Sequence, residues 1–398
     1  MSQLEAPATA AAGKSQLHSG IEVGTFVSLQ MLAAVFPLAA GFALFGWRAL
    51  GTTVCVVAST LAAALLWRNI GWRGRQMRLW HCLWMAILVS LMLPAHLFST
   101  KPIDGVVPWP ILPAAGIMLA MVIWLLGGLG GHRIHPAVAT VLILFALFEQ
   151  TLTPRYVLRL DRLFWGDLLK AAAPGSVVLQ RGAWVVVSKQ PAGSAFDALA
   201  VVPAADKLLA YTSAQKRPDR ASQTLQMLIR DDMPPLEDLV IAGQSSPIGN
   251  GSAIMIIVGG LFLLYRGLID FRLPVLTLAA AVVAILVLPI PVVIADSGTH
   301  WHWLAFREHY LGWPTAITFM NYEILASPLL LTIFFLSNAP GLRPITRRGR
   351  AIFAVVLGMV SAVMQLYFFA PVGPYVALLL ASLLTPMLDR TLRPRTLV

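Results

Sequence analysis

Ten stretches of this 398-residue chain are almost uninterruptedly apolar: 27–47, 51–67, 79–98, 108–129, 137–152, 252–269, 272–293, 315–336, 351–370 and 372–388. A helix needs about 20 apolar residues to cross the hydrocarbon core of a bilayer, so each run predicts a spanning helix. Between the fifth and sixth runs the pattern changes to a polar segment, 153–250. Within it, Val177-Val-Leu-Gln-Arg-Gly-Ala-Trp-Val-Val-Val187 has β-branched residues on both sides of Arg181-Gly182, which predicts a hairpin. Gln215 to Arg220 reads as loop and Leu225 to Ile229 as one helical turn. The pattern predicts an all-α polytopic membrane protein of ten transmembrane helices: a tail 1–26, a five-helix half 27–152, a mixed extramembrane insertion 153–250, a second five-helix half 251–390, and a tail 391–398. An odd number of crossings per half turns the halves opposite ways, the arithmetic of an inverted repeat. Phe42-Ala-Leu-Phe-Gly-Trp-Arg48 after the first run and Phe262-Leu-Leu-Tyr-Arg266 after the sixth echo one another.

Composition agrees with the pattern. The chain is 58% hydrophobic and 12% charged, with a mean hydropathy of +0.76, whereas soluble domains are about 25% charged. A soluble enzyme, a fibrous protein and a disordered chain are excluded.

The net charge of +11 suggests a nucleic-acid partner, but the distribution of the charge argues against one. Of 29 Lys and Arg, 15 fall on one side of the expected topology: Lys14, Arg68, Arg73, Arg75, Arg78, Arg133, Arg266, Arg272, Arg343, Arg347, Arg348, Arg350, Arg390, Arg393 and Arg395. The short loops opposite carry only Arg48, Lys101 and Arg307, and the rest lie in the long insertion, which the positive-inside rule does not count. Both termini are therefore expected in the cytoplasm, with the insertion in the periplasm of a bacterium and the chain in its inner membrane. The excess charge is mainly a topology signal, with some attraction to anionic lipid head groups.

Candidate chemistry is sparse. Glu323, in Asn321-Tyr-Glu-Ile-Leu325, falls inside the eighth run. A carboxylate at the bilayer centre costs at least ~2.5 kcal/mol, so such an acid reads as functional. Glu323 and its neighbour Asn321 are the candidates for an ion path; the alternatives are a hydrogen bond to a cofactor or an acid near the span end that reaches water. Pro289, Pro291 and Pro328 fall in the seventh and eighth runs. They predict either ordinary kinks or backbone breaks of the kind tolerated beside a cavity. His300-Trp-His302-Trp, with His309 nearby, suits a metal site less well than an interfacial aromatic belt. Cys55 and Cys82 have no metal spacing and predict no disulfide. A phosphate-binding lysine motif, a nucleophile elbow and paired carboxylates within a span are all missing from the sequence.

Several stretches together resemble one family: the D-type membrane component of the Rnf electron-transport complex and the B-type component of the Na+-translocating NADH:quinone reductase (Nqr). They are Met31-Leu-Ala-Ala-Val-Phe-Pro37 with Phe45-Gly-Trp47, Gly127-Gly-Leu-Gly-Gly-His-Arg-Ile-His-Pro-Ala137, and Ile248-Gly249-Asn250-Gly-Ser252-Ala253 followed by Gly259-Gly-Leu-Phe-Leu-Leu-Tyr-Arg266. Further matches are Phe334-Phe-Leu-Ser-Asn-Ala-Pro340, Pro344-Ile-Thr-Arg-Arg-Gly-Arg350, and Pro386-Met-Leu-Asp389-Arg with Arg393-Pro394. The resemblance implies two inverted five-helix halves and an FMN joined through its phosphate to a threonine on the periplasmic side. Asp219-Arg-Ala-Ser222-Gln-Thr224 is similar to the family's D-x-x-S/T-G-A-T attachment motif, one residue short. Thr224 is the implied attachment residue and Ser222 the ungapped alternative. Gly249, Asn250, Asn338 and Thr346 are the implied cofactor-contacting positions.

The sequence departs from the family's pattern at several points. His132, His135, Asn250 and Ala339 replace two asparagines and two acids of the family motifs, so sodium pumping is not carried over. The implied function is a membrane redox subunit that holds or contacts FMN and relays electrons between partner membrane, flavin and iron–sulfur subunits, with quinone as one acceptor. A flavin-free scaffold and an inverted-repeat transporter or channel are the alternatives.

Overall fold

The computed structural model describes residues 23–70, 78–98, 107–126, 134–153, 156–158, 177–180, 183–186, 198–200, 203–212, 229, 233–234, 236–241, 246–294, 298–303, 313–369 and 371–392. The first helix set consists of α1 (Val23–Phe45), α2 (Trp47–Ile70), α3 (Leu79–Met92), α4 (Ile111–Leu126) and α5 (Pro136–Leu152). Gly46 alone joins α1 to α2, at φ 63°, in the left-handed region that glycine enters without penalty. Helix α3 stops where Pro94 removes an N–H and pushes Leu93 into an extended conformation (φ −94°, ψ 147°). A short 3₁₀ turn, Ala95–Leu97, continues the path.

The insertion contributes β1 (Tyr156–Leu158), β2 (Val177–Gln180), β3 (Ala183–Val186) and β4 (Ala198–Ala200). Two short helices follow, α6 (Ala204–Thr212) and α7 (Leu236–Val240). Strands β2 and β3 form the expected antiparallel hairpin around Arg181-Gly182, with Leu179 opposite Trp184, and β1 pairs with β4. The turn expected at Leu225 to Ile229 lies outside the described residues except for Ile229.

The second set is α8 (Ala253–Tyr265), α9 (Arg272–Val287), α10 (Trp313–Ala326), α11 (Leu329–Leu336), α12 (Arg347–Phe368) and α13 (Gly373–Thr391). Helices α10 and α11 occupy one apolar run but meet at a 58° bend at Ser327-Pro328. Helix α12 ends in a π-helical turn, Met364–Phe368. The seventh run, expected to continue to 293, ends instead at Val287. Pro289 and Pro291 lie in β5 (Pro289–Ile294), paired antiparallel with β6 (Gly298–Trp303). Alternate prolines cannot extend a helix but are accommodated in a two-stranded ribbon, where each strand has a free edge.

Packing is similar in the two sets. Helix α2 lies along α4, α9 lies along α12, and α1 crosses between the sets to α8. In each set a glycine on the fourth helical run allows the close approach. A Cβ at Gly116 would meet Val56 O at 2.8 Å, and one at Gly358 would overlap Thr277 O. The main core joins α1, α3, α8 and the α11 turn, while a second cluster (Leu208, Met233, Leu239, Ile285, Phe319, Tyr322, Leu366) seats the insertion on the helices.

Among the described residues, α1, α2 and α12 are long and apolar enough to cross a membrane, as is the α10–α11 pair taken as one bent span. Helices α3, α4, α5, α8 and α9 include shorter apolar stretches. Their outward faces are strongly apolar, with Ile117, Leu147, Leu261 and Val283 all exposed. This is a largely helical membrane protein.

Candidate functional site

Two helix interruptions form the site. At the end of α3, Pro94 leaves the Leu93 carbonyl without a helical partner, and Ile248 N donates to it at 3.0 Å. The segment Ser246-Pro-Ile-Gly-Asn250, ahead of α8, is thereby docked on the break. It fits because two glycines face it or belong to it. A Cβ at Gly41 on α1 would come within 2.7 Å of Ile248 O, and one at Gly249 within 2.9 Å of Leu91 O. His96 Nε2 lies 2.8 Å from Thr151 O and fixes the 3₁₀ turn to the end of α5.

The second interruption is Ser327-Pro328, where Thr332 Oγ1 donates to Pro328 O at 2.9 Å and ties the bend together. Between the two breaks lies a cavity of about 30 Å³, bounded by Leu93 and Pro94, Asn250, Ala326 and Pro328, and Tyr375 from α13. That volume takes one or two waters. Its lining is apolar apart from Ser246, Asn250 and Tyr375, and no charged side chain among the described residues lines it. Tyr375 is 1% exposed and its hydroxyl has no hydrogen-bond partner among the described residues.

Glu323 is buried on α10, three residues before Ala326, and forms neither a hydrogen bond nor an ion pair among the described residues. Asn321 is half-buried on the same helix. Tyr322, between them, donates to Pro234 O at 2.6 Å and ties α10 to the insertion.

Among the described residues, the implied cofactor positions separate into two places. Gly249 and Asn250 stand at the cavity. Thr346 belongs to the other end of the second set, since Arg350 in the first turn of α12 bonds Asp270, just past α8, and Asn338 stands just ahead of the Ala339–Leu342 turn that leads there. Thirteen helical residues of α8 separate the two ends, about 20 Å at 1.5 Å per residue. Each of the two has a local partner: Asn338 Nδ2 donates to Ile333 O (3.1 Å) and Phe334 O (3.0 Å), and Thr346 Oγ1 accepts from Gly349 N (3.0 Å) as the N-cap of α12. Thr224 and Ser222 lie outside the described residues.

His300 and His302 are on β6, opposite Val292 and Ile290, and His309 is outside the described residues. No group of three metal-ligating side chains occurs among the described residues. Sequence reasoning missed Tyr375 and the break at Pro94. Leu93-Pro94 inside the third apolar run was the available signal for the break, whereas nothing local marks Tyr375.

Broken apolar helices around a small, uncharged, partly polar cavity, within an outer shell of exposed apolar side chains, define a polytopic helical membrane protein with irregular backbone buried among its helices. The family resemblance carried by the motifs extends over nearly the whole chain: residues 10–398 match the family profile, and the protein belongs to the NQR2, RnfD, RnfE family. It is 26% identical over 380 residues to the D-type component of the ion-translocating oxidoreductase complex of Halorhodospira halophila, covering 94% of this chain and 91% of the relative. The component of that name in Salmonella arizonae is 23% identical over 385 residues, 95% of each chain. The D-type component of the Na(+)-translocating ferredoxin:NAD(+) oxidoreductase complex of Acetobacterium woodii is 22% identical over 381 residues, covering 95% of this chain and 91% of the relative.

Proposed function

We propose that this protein is the membrane subunit of an ion-translocating oxidoreductase complex in a bacterial inner membrane. The observation that carries the reading is the family match over residues 10–398, with end-to-end relatives that bear that name. In this reading the chain crosses the membrane ten times as two inverted halves, both termini are cytoplasmic, and the insertion is periplasmic. Proline breaks in the third apolar run of each set, at Pro94 and Pro328, and the matched pairs α2–α4 and α9–α12 support the repeat. Partner membrane, flavin and iron–sulfur subunits exchange electrons with it, with quinone as one acceptor.

FMN is proposed to be carried on Thr224, with Ser222 as the alternative, as a phosphate ester on the periplasmic side. When bound, the flavin supplies reversible electron transfer, and the protein supplies position and electrostatics. The cavity between the breaks, about 30 Å³, is smaller than an isoalloxazine, so the ring is proposed to lie outside it, with a hydroxyl group as the chain's contribution at the attachment point. Glu323 and Asn321 are proposed to lie on the ion path. A buried carboxyl without a partner among the described residues is costly in apolar surroundings, and that cost is consistent with a group retained to take up and release a cation.

In-gel flavin fluorescence of the denatured protein, produced with its flavin transferase, tests the attachment. Fluorescence is expected from wild type and Ser222→Ala and not from Thr224→Val; a dark wild-type band overturns covalent attachment. In the assembled complex, Glu323→Gln is expected to abolish coupled ion movement while sparing electron flow. Unchanged coupling removes Glu323 from the path.

A further inference from the structure

The end of the second helix set remote from the cavity gathers an excess of positive charge. The α8–α9 loop, the 342–346 loop, the start of α12 and the end of α13 meet there. Arg350 Nη1 bonds Asp270 Oδ2 at 3.2 Å, Ile345 N donates to Asp389 Oδ1 at 2.9 Å, and Thr385 Oγ1 donates to Leu342 O at 2.6 Å. Arg266, Arg272, Arg347, Arg348 and Arg390 are exposed around this junction, with half-buried Arg343 between them. The two carboxylates of the junction are already engaged, Asp270 by Arg350 and by Arg272 N, Asp389 by Ile345 N. None of the five exposed arginines forms an ion pair among the described residues. Burial, and then the charge of Arg350, lower the guanidinium pKa of Arg343, with Asp270 opposing.

The surroundings of these arginines are apolar. Tyr265 is 88% exposed, Phe271 63%, Ile345 60% and Met387 64%, and the Arg272 guanidinium lies 5.8 Å from the Phe271 ring centroid. One or two turns along the same helices, Leu261, Val275, Ile352, Val355 and Leu383 continue the exposed apolar surface. A guanidinium over a ring, other exposed arginines around it and exposed aliphatic side chains along the same helices match a ligand with an anionic head and hydrocarbon tails.

We propose that this junction binds the phosphate of an anionic phospholipid, phosphatidylglycerol or cardiolipin, with Arg266, Arg272, Arg347, Arg348 and Arg390 around the head group and the acyl chains along α8, α9 and α12. An acidic protein would satisfy the arginines but leave the apolar strip beneath them without a counterpart, and the continuity of head-group and tail surfaces favours lipid. The site is independent of the flavin proposal and requires only that the helices stand in a bilayer.

The test is native mass spectrometry of the full-length protein in detergent, with dioleoyl phosphatidylglycerol, tetraoleoyl cardiolipin or dioleoyl phosphatidylcholine added, and with inorganic phosphate in a parallel thermal-shift series. Expected are preferential retention of the two anionic lipids, loss of that preference as salt rises, and no shift with phosphate alone. Each arginine removed is expected to weaken retention about fivefold, from ~1 kcal/mol per cation, so Arg347→Gln/Arg348→Gln loses most of it. Arg347→Lys/Arg348→Lys, which keeps the charge, retains it and controls for folding. Arg68→Gln, an exposed arginine of the first set, leaves it unchanged. Equal retention of phosphatidylcholine, an equal loss in Arg68→Gln, or an equal shift with inorganic phosphate overturns the proposal. So does salt-sensitive capture of an acidic protein partner by a junction that retains no anionic lipid.

Discussion

The two ends of helix α8 differ in nearly every physical respect. At the Asn250 end, prolines interrupt two helical runs, the cavity lining holds no charge, and a tyrosine hydroxyl is buried without a partner among the described residues. At the Arg266 end, helices terminate in N-caps and side-chain-to-backbone bonds, and arginines outnumber the acids that could neutralise them. The first end holds irregular backbone inside the protein, where its freed groups must find partners other than the next helical turn. The second is built to stay put at a charged surface. The broken-helix cavity and the arginine junction are thus separated along a single helix, about 20 Å apart.

The largest effect is expected from filling the docking groove of the first end. Gly41→Leu or Gly249→Val forces side-chain atoms into Ile248 or into Leu91 and its carbonyl. Overpacking of this kind costs up to about 3 kcal/mol, read as a large drop in the melting temperature of detergent-solubilised protein. Tolerance of both variants would show that the segment before α8 is not seated on the α3 break. Tyr375→Phe works in the opposite direction. Removing a buried hydroxyl with no partner is expected to stabilise the protein by about 1 kcal/mol, measured in the same way, and a loss of that size instead would reveal a ligand or ordered water in the cavity.

At the other end, Thr346→Ala removes the N-cap of α12 and is expected to cost about 1 kcal/mol. Raised hydrogen exchange confined to the first turn of α12 would localise the effect, and protection equal to wild type would count against the cap. Asp270→Asn breaks the partly exposed pair with Arg350, whose side chains are 23% and 24% exposed, and its cost is expected to stay below about 1 kcal/mol. A larger loss would mean that the junction depends on this pair more than its exposure suggests.

Much of the helical scaffold was legible in the sequence because apolar runs report their own burial in lipid or protein. The β2–β3 hairpin was legible for a similar local reason, a glycine turn between β-branched stretches. The end of the seventh run was not. The apolar pattern puts Pro289 and Pro291 within a span, whereas their pairing with Trp303 and Trp301 depends on a strand that periodicity does not reveal. The motif positions Gly249, Asn250, Asn338 and Thr346 were legible as a set, but their separation to opposite ends of α8 was not, because a motif records adjacency in the chain rather than in space. Asn338 and Thr346 are engaged in capping backbone groups of their own segments, a duty that depends on where each helix ends.

By itself, the sequence determined the membrane as solvent, the helical scaffold, the side expected to carry the arginines and the family, since each rests on composition and order along the chain. Tertiary structure alone decided that Pro94 and Pro328 border one cavity, that Tyr375 reaches it, and that four separate segments gather arginines at one junction. The physical reason is range. Hydropathy and helix propensity act over a few turns, whereas these juxtapositions depend on the packing of helices distant in the chain.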